Sequence, residues 1–200
     1  MTAREAAHAM YIDIKRRRLV LAACGLPLAL PALPTLAQPV APPGLDVPYE
    51  PSPPEVVDAM LKLAGVGPND TVYDLGCGDG RIVIAAARRG AKGVGIDLDP
   101  KRIAEAKANA AKAGVAGRTR FRVGDLYASD FSDATVVTLF LWPHVNLKLK
   151  PILWQQLRPG TRVVSHIWEM GQDWPPERSE TLGRRRIHLW TIRDAHKRAR

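Results

Sequence analysis

The stretch Val72-Tyr73-Asp74-Leu75-Gly76-Cys77-Gly78-Asp79-Gly80-Arg81 decides the fold. It reads as a buried strand, a glycine turn and the first turn of a helix that continues through Ile82-Val83-Ile84-Ala85-Ala86-Ala87. Glycines at 76 and 78 permit backbone angles and close approaches that a Cβ would block. A dinucleotide fingerprint, G-x-G-x-x-G, places its third glycine where the helix packs on the strand. Here Arg81 holds that position and the glycine falls at 80. The helix N-terminus, with free N–H groups and the positive end of the dipole, suits a carboxylate. Asp74 sits where a phosphate loop avoids negative charge, so it suits an ammonium or a sulfonium.

A second strand, Gly93-Val94-Gly95-Ile96-Asp97-Leu98, also ends in an acid, followed by Asp99-Pro100. Asp97, with Leu98 beside it, lies about 20 residues past the glycine loop, the spacing at which a carboxylate takes ribose hydroxyls. Pro100 opens an alanine-rich helix from Lys101 to Lys112, and Asp99 is read as its N-cap. A third strand, Thr119-Arg120-Phe121-Arg122-Val123, runs into Gly124-Asp125-Leu126-Tyr127. Three acids on three successive strand ends are hard to explain as surface charge.

The D-x-G-x-G-x-G run from Asp74 to Gly80 resembles motif I of class I S-adenosyl-L-methionine-dependent methyltransferases. The resemblance implies that Asp125 accepts from the adenine amine and that the Leu126 N–H reaches a ring nitrogen. Its cofactor set is then Asp74, Gly76, Gly78, Gly80, Asp97, Leu98, Asp125 and Leu126. Further segments narrow the likeness: Pro48-Tyr49-Glu50-Pro51-Ser52-Pro53, Thr135–Leu141, Asn146–Pro151, Leu157–His166 and Trp174. From about Pro48 to Trp174 the chain is similar to the small protein-lysine methyltransferases, of the archaeal broad-specificity type and the mitochondrial type acting on the ATP synthase c-subunit and the adenine nucleotide carrier. It departs from them at Glu50, where an apolar residue is expected, at Phe140 in place of tyrosine, and at Cys77 in place of serine.

That likeness implies transfer to protein lysines, with Tyr49, Phe140, Trp142 and Asn146 around the acceptor channel. Asn146 either orients the amine by its carbonyl or caps the helix expected over 144–157. Tyr49 either covers the cofactor or packs on the helix after it. The Leu141-Trp142-Pro143-His144 exit lacks the Asn/Asp-Pro-Pro-aromatic pattern of enzymes that methylate planar amines. The alternatives are a methyltransferase for RNA or a small molecule, and a protein that binds S-adenosylmethionine without catalysis, as a sensor or an assembly factor.

The expected fold is α/β, a Rossmann-like, mostly parallel sheet with an antiparallel last strand. Helices cover both faces and the C-terminal half is reduced. Later strands are expected near 134–141, 161–168 and 184–193. A short one is expected at 179–182, with a loop replacing the crossover helix between Trp168 and Ser179. Ser52-Pro53-Pro54-Glu55 is read as a capping box with proline at the first helical position.

The N-terminus carries Lys15-Arg16-Arg17-Arg18, an apolar run from Leu19 to Ala37, and Thr35-Leu36-Ala37 as a cleavage site before Gln38. Residues 1–37 are therefore read as a signal peptide, which implies export to the periplasm; an uncleaved N-terminus implies a cytoplasmic enzyme. Prolines 27, 31 and 34 argue against a membrane-spanning helix. Residues 38–51 form a proline-rich lead and 52–200 the catalytic domain. The whole chain carries +9. Residues 1–37 hold five basic and two acidic side chains, so +6 remains without them. Much of that charge is C-terminal, read as a solvated edge and basic tail rather than a nucleic-acid groove. Of two cysteines only Cys77 would remain, so no internal disulfide is expected. The scattered histidines lack metal-ligand spacing. A monomer is favoured.

Overall fold

The computed structural model describes residues 49–198, with the last side chain at Lys197. The predicted signal peptide and the lead up to residue 48 lie outside the described residues. The described chain forms α1 (Pro54–Leu63), β1 (Thr71–Leu75), α2 (Arg81–Arg88), β2 (Lys92–Asp97), α3 (Pro100–Lys112) and β3 (Thr119–Val123). It continues with β4 (Val136–Leu139), α4 (Pro143–Gln156), β5 (Arg162–His166), β6 (Arg178–Leu182), β7 (Arg185–Thr191) and α5 (Asp194–Arg198).

The seven strands form one sheet in the order β3-β2-β1-β4-β5-β7-β6. The first five run parallel, and β7 pairs antiparallel with both β5 and β6. This is the expected doubly wound sheet, and β3 occupies the expected residues. Between His166 and Arg178 the chain runs without a helix, as Gly171, Pro175 and Pro176 require. The order reverses between β1 and β4, which opens a crevice at their C-terminal ends, where open α/β sheets bind ligands.

Alternation along the strands sends side chains to two cores. Tyr73, Leu75, Val137, Leu139 and Val163 meet α4 through Val145, Leu149 and Leu153, with Trp174 and Trp190 closing that layer. Val72, Val136, Val164 and Ile187 meet α1 and α2 through Val57, Met60, Leu61, Ile82 and Ala86. Ile103, Ala106 and Ala110 of α3 pack on Phe121 and Val83. Gly95 of β2 makes this last contact possible: a Cβ there would lie 2.6 Å from Phe121 Cδ1. Exposed β6 carries Arg178 and Glu180, charges that blunt an unpaired sheet edge.

The capping box does not form. Pro53, extended at ψ 152°, is the N-cap of α1 and Pro54 its first residue, with no side-chain cap. Helix onset at Pro54 leaves Ser52 one residue too early to cap, and its hydroxyl bonds His166 instead. The Asp99 cap does form, accepting from the Lys101 N–H at 2.8 Å.

Candidate active site

The crevice at the strand ends is a cleft of about 1160 Å³ including its open mouth. Its floor is the glycine turn. Gly76, Gly78 and Gly80 take φ of 84°, 50° and 81°, all left-handed. Gly78 is the constrained position: a Cβ would sit 2.3 Å from Tyr49 Cε2. The Tyr49 ring therefore lies directly over the turn, and the Arg102 guanidinium stacks on it at 3.8 Å. Of the two readings of Tyr49, the structure supports the one that covers the cleft.

Each strand-end acid has a distinct environment. Asp74 is buried, and its carboxyl accepts from Thr138 Oγ1 at 2.7 Å. Burial pushes its pKa up to about 7; the Thr138 hydrogen bond pulls against that, while Asp97 and Asp79 add to it. A cationic group in the cleft would offset this penalty, so the site fits an ammonium or sulfonium ligand. Asp97 accepts from the Gly78 N–H at 2.8 Å and the Asp99 N–H at 2.9 Å, which ties β2 to the glycine turn. Asp125 accepts from the Tyr127 N–H at 2.8 Å in a local turn. Leu98 and Leu126 line the same cleft. Asp79 is pushed up by burial but held below the usual carboxylate range overall by the Arg81 hydrogen bonds. The Arg81 guanidinium donates to Asp79 at 2.6 Å and to the Ser52 carbonyl at 2.9 Å.

The acceptor candidates separate. Tyr49 and Phe140 line the cleft, as do Glu50, Pro51 and Ser52. Trp142 and Asn146 do not line it. Trp142 packs half-buried against the core and serves as the N-cap position of α4. Asn146 lies inside α4, fully buried, so it does not cap that helix. Its Nδ2 donates to the Trp168 carbonyl at 3.3 Å, and its Oδ1 has no partner among the described residues. Val145, the preceding residue, reaches the wall in its place. Cys77 is buried with a free thiol, and burial, reinforced by Asp74 and Asp97, pushes its pKa far up. It is no nucleophile. Among the described residues no group of His, Cys, Asp or Glu could hold a metal, and no helix is long and apolar enough to cross a membrane.

His166 was not foreseen as part of the site. It lies at the end of β5, buried, with its ring centroid 4.1 Å from that of Phe140. In the sequence it closes the Leu157–His166 segment of the likeness and falls within the strand expected near 161–168.

A seven-stranded sheet of this order, with its glycine turn and three strand-end acids at the switch point, defines a class I S-adenosylmethionine-dependent methyltransferase. The cofactor fits the buried carboxylate and the glycine cradle. The chain belongs to the family of the ANTKMT methyltransferase domain, whose model matches residues 74–178. It is 51% identical over 133 residues to a protein-lysine N-methyltransferase of Saccharolobus islandicus, covering 66% of this chain and 82% of that one. It is 32% identical over 119 residues to the human ATP synthase c-subunit lysine N-methyltransferase, covering 60% of this chain but 51% of the human one. Among solved structures, an RNA methyltransferase from Salinibacter ruber in complex with S-adenosyl-L-homocysteine is similar at 55% identity and a TM-score of 0.72. That match covers 72% of this chain and 95% of the other.

Proposed function

We propose that this enzyme methylates the ε-amine of lysine side chains in a protein. The charge of the cleft carries the reading. Six carboxylates line it, those of Glu50, Asp74, Asp79, Asp97, Asp99 and Asp125, against two guanidiniums, Arg81 and Arg102. Arg81 is engaged by Asp79, and Arg102 by Glu105 and the Tyr49 ring. Such a field draws in a cationic side chain and repels a phosphodiester backbone. Two relatives named above are lysine methyltransferases.

S-adenosylmethionine supplies an electrophilic methyl group on a sulfonium. Asp97 would hold its ribose, Asp125 and the Leu126 N–H its adenine, and the N-terminus of α2 its carboxylate. Asp74, below the glycine turn, would face its positive end. The acceptor amine enters between Tyr49 and Phe140. It must be neutral to react, and at pH 7 shedding its proton costs about 4.6 kcal/mol in water. A desolvated channel beside the cofactor's sulfonium would reduce that cost, so no strong base is needed. The residue types in the cleft agree, with no histidine on its wall.

RNA is the second reading, favoured by the description of the Salinibacter relative. One experiment separates them. The full chain is incubated with methyl-labelled S-adenosylmethionine and fractionated lysate of its source, with Asp97→Ala as control. Label that survives nuclease and maps to lysine supports the proposal; nuclease-sensitive label refutes it. Export through residues 1–37 stands as part of the proposal. Recovery of the enzyme with cytoplasmic markers and an intact N-terminus would overturn that part.

A further inference from the structure

The segment Tyr49–Ser52 crosses the cleft as a strap. On the cofactor side the Tyr49 ring lies beneath Arg102, its hydroxyl lies beside Asp79 and Arg81, and the Ser52 carbonyl accepts from Arg81. On the far side the contact is to His166. Ser52 Oγ lies 2.9 Å from His166 Nδ1, a buried contact between residues 114 apart in sequence. Phe140, the aromatic wall of the acceptor half, packs on the same imidazole.

We propose that Ser52 and His166 are a positioning pair that pins this strap and sets the width of the acceptor entrance between Tyr49 and Phe140.

Three observations converge on His166. Its Nε2 is buried without a partner among the described residues. A buried N–H without a partner is rarer and costlier than a bare lone pair. The preferred tautomer therefore carries its proton on Nδ1 and donates it to Ser52 Oγ.

Next, the imidazole stays neutral. Burial, and secondarily Arg185, lowers its pKa to about 4. That makes it a poor store for the proton of a lysine ammonium, so its role is geometric.

Finally, the chain turns sharply just beyond it. Ile167 has φ 67°, a left-handed conformation unusual for a β-branched residue. It is held by its N–H to the Arg186 carbonyl at 2.7 Å and by its carbonyl to His188 Nε2 at 3.1 Å. Strain of this kind persists where surrounding structure enforces it, often beside functional groups. Here it ends β5 with His166 under the strap.

The pair does not depend on the acceptor being lysine, and its test is arranged accordingly. Full-length wild type, Ser52→Ala, His166→Leu, the double variant and His166→Asn are compared. The amide nitrogen of Asn can stand where Nδ1 stood. Circular dichroism at the assay temperature verifies the fold of each. Two measurements need no acceptor: the rate of chymotryptic cleavage after Tyr49, followed by mass spectrometry, and the affinity for S-adenosylhomocysteine by calorimetry. A third is methyl transfer to poly-L-lysine, resolved into kcat and KM.

Each single loss should speed cleavage after Tyr49 about fivefold, the worth of one such hydrogen bond. It should also raise acceptor KM more than it lowers kcat. The double variant should be no worse than either single one, as expected for two halves of one contact. His166→Asn should recover most of the loss. Wild-type cleavage rates in both single variants, or effects that multiply in the double, would overturn the pair. Failure of the wild type to methylate poly-L-lysine would count against the lysine reading alone, because the cleavage rates after Tyr49 still decide the pair.

Discussion

Asp74→Asn separates ligand binding from stability, because the two should move in opposite directions. The Asp74 carboxyl is buried, bonded by Thr138 alone among the described side chains, and pushed up to about 7. Below about pH 4 both folded and unfolded chains hold its proton. Between about 4 and 7 the unfolded chain releases the proton and the empty fold keeps it, so stability falls as pH rises through that window, then levels off. The full penalty is about 4 kcal/mol. Asn carries no charge and keeps a hydrogen-bonding amide beside Thr138. The ligand-free variant should therefore melt higher than wild type at pH 8 and no higher at pH 4.

Binding should go the other way. If a positive group of the cofactor meets the ionised carboxylate, wild-type affinity falls about tenfold per pH unit below 7. At pH 5 it should then be about fiftyfold weaker than at pH 7, where the carboxyl is half ionised. The variant should bind weakly and with little pH dependence across that range. Calorimetry with S-adenosylmethionine and S-adenosylhomocysteine at pH 5, 6 and 7 reads this directly. Equal slopes for both ligands would point to the shared ammonium; a steeper slope for the methylated form would point to the sulfonium. Identical pH slopes in wild type and variant would refute the assignment of Asp74.

Three further predictions concern the frame of the site. Asp97→Ala leaves the Gly78 and Asp99 N–H groups without their acceptor; calorimetry should show S-adenosylhomocysteine bound about a hundredfold more weakly, in line with about 1.5–3 kcal/mol for bonds to a charged group. Gly78→Ala places a methyl group where the Tyr49 ring lies and strains a left-handed backbone, so cofactor affinity should fall about tenfold, and Tyr49→Ala in the same chain should restore part of it. Trp190→Ala empties a fully buried site and removes the indole donor to the Trp174 carbonyl at 2.8 Å; urea unfolding should show a loss of about 3–5 kcal/mol.

The cofactor half was legible because its signals are local. Asp74, the three glycines, Asp97, Asp99 and Asp125 lie within one βαβαβ run, and each turn carries its own chemistry in adjacent residues. The missing crossover helix was legible for the same reason, in Gly171, Pro175 and Pro176. The acceptor half was read less well. Asn146 looked exposed to the channel, yet the roll of α4 turns it inward and offers Val145. Ser52 looked like a cap, yet two prolines displaced the helix start. Its true partner lies more than a hundred residues away, a pairing that no local pattern encodes. The link from Arg162, at the start of β5, to Asp70 and Thr135 in two loops at the opposite sheet end was hidden likewise.

That split has a kinetic consequence. Contacts close in sequence form early, because little loop entropy is spent in closing them. The strands from Asp74 to Asp125 make such contacts, whereas Ser52 reaches His166 only after most of the chain has threaded the sheet. During synthesis from the ribosome the residues that line the methyl-donor pocket leave the ribosome before β5 does. The contact between Ser52 and His166 closes only once β5 has joined the sheet, so this side of the cleft is assembled after the strands that carry Asp74, Asp97 and Asp125.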